Sequence, residues 1–351
     1  MRNQSAYQVT PSGSIRVAGR VFFVVVLILT TVFTYAQQYD LLIKNGRVID
    51  PKNKLDAITD VAITEGKIAK IAVNIPATES KKIIDATGLY VTPGLIDMHT
   101  HVFVGSKAGT FADGIYSVSA DDFSFRSGVT TMVDAGTSGW QNFELFKEQV
   151  IYHSQTRILA FLNIFGAGLG SGQAIKEISS INEDSSIAVM QRYKEIIVGA
   201  RIGHYDGGDW TPFNSALDAA KKMNEPLFVE CHLPQYSLKD QLNKMRPGDI
   251  ITHSYEEISE RMPVVDSNGK LNSFVLDAQK RGVLFDVGHG GAGFWFSQAV
   301  PAFQQGLAPN TFGTDLHRFS MNAGMKSILN VMSKYLNMGM SLNDVVTRAT
   351  W

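Results

Sequence analysis

The stretch Pro93-Gly-Leu-Ile-Asp-Met-His-Thr-His101 joins a short apolar run to two histidines two residues apart. It follows a Pro-Gly pair and is rich in branched side chains, so it reads as a buried strand. Residues two apart on a strand share a face. His99 and His101 can therefore grip one ion together. A single H-x-H is a weak signal, because chance pairs are common, and its weight depends on the rest of the chain.

From Val91 onward, apolar strand-like runs alternate with helix-length segments. The strands are expected to end at His101, Asp134, Ile164, Arg201, His232, His253, Val287 and Asp315. Ser215–Met223 and Ser273–Lys280 read as two of the intervening helices. Eight such units predict an α/β fold, a (β/α)8 TIM-type barrel over residues 93–351. An open doubly wound sheet is the competing architecture, but it needs a nucleotide fingerprint near its first strand. Gly288-His-Gly-Gly-Ala-Gly293 follows a late strand and reads instead as a tight loop.

Ahead of the barrel, residues 37–92 read as a small β domain of short strands, with hairpins expected at Asn45-Gly46 and Glu65-Gly66. Residues 1–36 have the make-up of a signal peptide. Arg2, Arg16 and Arg20 precede the apolar run Val21–Leu29, and Ala36 offers a cleavage site. An uncleaved anchor is the alternative, although the apolar run is short for a span of roughly 20 residues. The mature protein is expected to be exported, periplasmic or secreted, without stable membrane association after cleavage. At the other end, Ser341–Trp351 reads as a capped helix at which the sequence stops.

Composition narrows the function. Of 351 residues 44% are hydrophobic and 19% charged, and the formal net charge is −1. No Lys/Arg run exists to attract nucleic acid. A small-molecule substrate is the expected partner, and the sequence is compatible with a homo-oligomer. Cys231 is the single cysteine, so an internal disulfide and a cysteine zinc knuckle are excluded. Its reading as a small buried hydrophobe outweighs that as a nucleophile.

In a barrel, catalytic groups sit at the C-terminal ends of the strands. Those ends carry His99 and His101, Arg201, Glu230 and His232, His253, and Asp315. Imidazole and carboxylate together suit Zn2+ and similar divalent ions. His204, His289 and His317 fall on loops at the same mouth and are candidates for substrate contact. His153 lies in a helical stretch and is assigned no role.

Pro93–His101 resembles the signature of the amidohydrolase superfamily, and Asn45-Gly-Arg-Val-Ile-Asp-Pro51 resembles its N-terminal β domain. Arg246–His253, Phe285–Gly290 and Thr314-Asp-Leu-His317 are similar to the dihydroorotase-related amidohydrolase/deacetylase subgroup. The resemblance implies one or two divalent ions that activate a water against an amide, cyclic amide or ester carbonyl. Asp315 would be the general base, His99 and His101 would hold the first ion and His253 the second. It also implies a chain that returns to complete the small β domain, which is expected to be incomplete here.

Two positions depart from the family pattern. A lysine that becomes carboxylated and bridges two ions normally ends the fourth strand, and Arg201 stands there. Guanidinium stays protonated and cannot form a carbamate, so the second ion site is in question. Arg201 can instead bind an acidic substrate group, or pair with Glu230. On the fifth strand Glu230 and His232 both face inward, and either can be the ligand. A barrel that binds a small ligand or a residual ion without turnover is the alternative to a hydrolase.

Overall fold

The computed structural model describes residues 37–105, 107, 117–169, 177–230, 235–258 and 262–351. The expected signal peptide, Cys231 and His232 lie outside the described residues. The chain forms two compact units. Of the described residues, one unit comprises those from 37 to 48 together with Ala57–Val91, and the other Ile49–Asp56 together with those from Thr92 onward.

In the first unit, β1 (Leu41–Asp50), β2 (Leu55–Thr64), β3 (Lys67–Ala72), β4 (Ile83–Asp85) and β5 (Tyr90–Val91) make one sheet. Its order is β3-β2-β1-β4, with β5 also on β1. β2 and β3 are antiparallel around Glu65 and Gly66, whose φ values of 51° and 70° suit a two-residue hairpin. The hairpin expected at Asn45-Gly46 does not form. β1 runs through it as one strand, with Asn45 at φ 62°. The Asn45 backbone N–H donates to Asp60 Oδ1 at 2.9 Å, and its side-chain amide to Asp85 Oδ1 at 3.3 Å. The left-handed residue is thus a kink held from β2 and β4 rather than a reversal. Tyr39, Leu42, Ala62 and Ile75 form the core of this unit. Ile68 and Ile71 on β3, and Ile83 and Ile84 on β4, are exposed.

In the second unit, seven parallel strands run in sequence order. They are β6 (Leu95–Thr100), β7 (Val129–Gly139), β8 (Arg157–Asn163), β9 (Ile197–Gly203), β10 (Leu227–Glu230), β11 (Ile250–Ile251) and β12 (Leu284–Phe285). Their apolar residues divide by the period of two that a pleated strand imposes. Ile96 and Met98, Val133 and Ala135, Leu159 and Phe161, Val198, Phe228, Ile250 and Leu284 form an inner cluster. Met132, Ile158, Ala160, Leu162, Leu227, Val229, Ile251 and Phe285 face the other way. They pack with the buried faces of helices such as Thr211–Met223 and Ser273–Lys280. An inner apolar layer and an outer ring of helices make this a TIM-type barrel.

The eighth strand is reduced to bridges. Thr311 pairs with Asp286 and Leu316 with Thr100, so this segment joins both edges of the seven-stranded sheet. Backbone hydrogen bonds such as Val287 N to Thr311 O at 3.2 Å and His101 N to Leu316 O at 2.8 Å hold it on either side, and side chains add to them. Asp286 Oδ1 accepts from Gly313 N and Asp97 Oδ1 from Thr314 N, at 2.7 and 2.9 Å. Asp315, at φ 52°, then leaves the extended conformation. The last helix is Leu342–Thr350, capped by the Ser341 side chain as its sequence predicts. Among the described residues, no helix is long and apolar enough to cross a membrane.

Candidate active site

Two residues beyond the inner apolar layer, the inward positions turn polar. Thr137 follows Ala135, Asn163 follows Phe161, Glu230 follows Phe228, Thr252 follows Ile250 and Asp286 follows Leu284, and all five are buried. Arg201 joins the same ring three residues past Val198, because β9 carries an extra residue against β8 between Ile197 and Gly199. On β6 Met98 packs against the inner cluster, and the ring of its neighbour His99 meets Phe228 of that same cluster. Plain alternation forbids that for neighbouring residues. A register shift between Asp97 and Thr100 permits it. His99 and His101 end with ring centroids 5.3 Å apart.

Hydrogen bonds at the rim fix which ring nitrogens face the centre. Thr252 Oγ1 donates to Asp286 Oδ2 at 2.8 Å, so it must accept from His99 Nδ1 at 2.9 Å. His99 therefore carries its proton on Nδ1 and a lone pair on Nε2. That Nε2 is buried and has no hydrogen-bond partner. His253 Nδ1 donates to the Gly288 carbonyl at 2.6 Å, which turns the Nε2 lone pair toward Glu230 Oε1 at 3.0 Å. His101 Nδ1 meets Thr137 Oγ1 at 3.0 Å, and its Nε2 lies 3.2 Å from Asp315 Oδ1. Acceptors facing acceptors in a buried space repel unless a cation or a proton lies between them.

Among the described residues, two overlapping groups have ligand atoms mutually within 4.8 Å: His99, His101 and Asp315, and His99, Glu230 and His253. The orphaned His99 Nε2, the imidazole and carboxylate donors and the hydrogen-bonded outer nitrogens all fit a divalent metal ion. Burial opposes the charge of Asp315, but the surrounding imidazoles of His99, His101 and His317 hold its carboxyl well below the usual carboxylate range. Burial, partly offset by Asp315, pulls the His101 imidazole down to about 4. It is thus a neutral ligand near pH 7.

His204, His253 and Asp315 all have left-handed φ, at 57°, 50° and 52°. Such backbone costs of order 1 kcal/mol or more per residue and gathers at functional sites. The Gly288–Gly293 loop lies directly on the site. A Cβ at Gly290 would stand 2.2 Å from Asp315 Oδ2, and one at Gly293 2.2 Å from His253 Nδ1. The loop is tight, as its sequence suggests, and its glycines let backbone approach the centre.

A cavity of about 350 Å³ opens over these groups, with His101, His204, Glu230, His253, Asp315 and His317 on its floor and walls. His317 turns Nε2 toward Asp315 Oδ2 at 3.5 Å. His204 Nε2 lies 2.8 Å from Glu230 Oε1. Arg201 is fully buried and its Nη2 donates to Glu230 Oε2, so the ion pair is the arrangement present. His289 sits slightly apart. It stacks on Phe294 with ring centroids 4.9 Å apart and accepts from Lys334 Nζ. Burial pulls its imidazole down to about 4.

Sequence reasoning missed the supporting groups Asp97, Thr137, Thr252 and Asp286. Asp97 accepts from Thr314 Oγ1 at 2.6 Å and from the His99 backbone N–H at 3.3 Å, which ties the first strand to the residue before Asp315. Burial pushes its carboxyl up to about 7, with the Thr314 hydrogen bonds opposing. The available signal was the two-residue step from each inner apolar residue.

A barrel with buried imidazoles and carboxylates at the C-terminal ends of its strands has the donor set and placement of a metal-binding active site. No family model matches the chain. A deacetylase of Brucella anthropi is 32% identical over 303 residues, 84% of this chain and 73% of that protein. The crystal structure of a dihydroorotase superposes with a TM-score of 0.78 at 29% identity, covering 88% of this chain and 81% of that one. That of an adenine deaminase gives 0.77 at 26% identity, over 89% and 82%. The chain belongs to the amidohydrolase superfamily, and is a hydrolase acting on carbon–nitrogen bonds other than peptide bonds.

Proposed function

We propose that this protein hydrolyses a small amide, a cyclic amide or an acyl ester in the manner of a deacetylase or dihydroorotase, with Zn2+ as its ion. The observation that carries the reading is the buried, unpartnered His99 Nε2 beside His101 and Asp315. The extent of the likeness to a deacetylase supports deacetylation ahead of ring opening.

When bound, a divalent ion polarises a carbonyl oxygen and acidifies a water molecule. His99 and His101 would hold it through Nε2, because Thr252 orients one ring and Thr137 the other. Asp315 keeps Oδ1 on the histidines and Oδ2 on the cavity side, toward His317. As general base Asp315 takes the proton of the attacking water, and it then gives that proton to the leaving nitrogen or oxygen. His317 and His204 stand on the cavity wall where a substrate carbonyl or a developing oxyanion would lie. The leader-like residues 1–36 support export, with the reaction taking place outside the cytoplasm.

The experiment is a screen of N-acetyl amines and amino acids, cyclic amides and acyl esters, following acetate or acid release, with Asp315→Asn as control. Turnover of one class that vanishes in the control supports the reading. Silence across all three classes with the ion loaded would count against it.

A further inference from the structure

The hydrolytic reading gives no part to Glu230, His253 or Arg201. The Arg201 side chain is fully buried, and Nη2 donates to Glu230 Oε2. The surrounding backbone leaves room for this side chain. A Cβ at Gly203 would fall 2.8 Å from Arg201 Nη2, and one at Gly136 would fall 2.3 Å from Arg201 Cδ. Two glycines on neighbouring segments thus leave the room that this side chain fills.

Glu230 is engaged on both oxygens. The guanidinium takes Oε2, and Oε1 stands 2.8 and 3.0 Å from His204 Nε2 and His253 Nε2, where a proton on an imidazole fills the gap in place of an ion. His99 belongs to both groups, its Nε2 lying 3.4 Å from Asp315 Oδ1 and 3.7 Å from Glu230 Oε2, so what sets the second group apart is the guanidinium already bonded to Glu230. Charge points the same way. Asp315, Glu230 and Arg201 together leave one negative charge. One divalent ion turns that to a single positive charge. A second would raise it to three positive charges, in a buried site beside a guanidinium that cannot lose its proton.

We propose that the centre takes one divalent ion, at His99, His101 and Asp315, and that the Arg201–Glu230 pair stands as a fixed cation and carboxylate where a second ion would otherwise lie. This rests on the metal-dependent reading above. In this arrangement Arg201 is a positioning residue. It holds Glu230 toward His204 and His253, and it keeps a second cation out.

Counting the ions tests this directly. The full chain is stripped with a chelator, titrated with Zn2+ and with Co2+ by calorimetry, and checked by elemental analysis after dialysis. The expected result is one equivalent per chain, even from excess metal, and two equivalents would overturn the proposal. Folded Glu230→Gln protein is expected to keep its one ion, whereas loss of that ion would make Glu230 a ligand and overturn the assignment. Folded Arg201→Gln protein is expected to take up a second equivalent, and a count that stays at one would show that the guanidinium is not what excludes it. Failure of the parent reading looks different, because the unaltered chain would then take up no ion or hydrolyse equally well without one.

Discussion

His99 Nδ1 lies 2.9 Å from Thr252 Oγ1, and that hydroxyl donates onward to Asp286 Oδ2 at 2.8 Å. The relay fixes the His99 tautomer and leaves Nε2 bare toward the centre. Thr252→Val keeps the shape and removes the relay. Metal affinity is expected to fall by about 10- to 100-fold, measured by competition with a chromogenic chelator. Unchanged affinity would mean that the hydroxyl does not orient the ring.

Asp315 faces both histidines and the cavity. Asp315→Asn keeps its size and loses its basicity. Turnover is expected to drop by about 10² to 10⁴, the usual worth of a general acid or base. Steady-state kinetics on a substrate found by the screen gives the number. The ion should remain, more weakly held, by elemental analysis.

Glu230 and Arg201 are both buried, so removing one partner strands the other's charge. Glu230→Ala is expected to cost roughly 3–5 kcal/mol of stability. Replacing both residues with uncharged side chains of similar volume should cost less than the sum of the single changes. Urea unfolding of the three variants closes that double-mutant cycle.

The buried Asp97 carboxyl is pushed up to about 7 in the folded protein, against an ordinary value of 3.8. With a raised folded value, the native state binds the extra proton between these limits. The contribution to stability is therefore full below about pH 4 and is lost as pH rises through 7. In metal-free protein, Asp97→Asn should remove this slope. Its stability relative to the parent should improve from pH 5 to pH 8, read as the difference in Tm. A constant difference would place the carboxyl outside that range.

The barrel was legible because buried parallel strands are apolar on both faces and return at a regular interval. His99, His101, His253 and Asp315 were legible because polar side chains at the ends of such strands are conspicuous. The Asn45-Gly46 turn misled, since an Asn tolerates left-handed φ in a kinked strand as readily as in a hairpin, and the anchors on Asp60 and Asp85 are far along the chain. The eighth strand was placed correctly in sequence, but part of what holds it comes from Asp97 and Asp286, whose roles depend on contacts across the barrel. Thr252 was invisible for the same reason. Nothing local distinguishes a threonine that orients an imidazole from one that fills a strand.

Loss and recovery of activity with metal tests the central claim most directly. The protein is stripped with a chelator, assayed on the substrate class found by the screen, and reassayed after adding back Zn2+. The predicted result is hydrolysis that disappears with the ion, returns with it, and fails to return in His99→Ala or His101→Ala protein that remains folded. Full hydrolysis by metal-free protein would contradict the account.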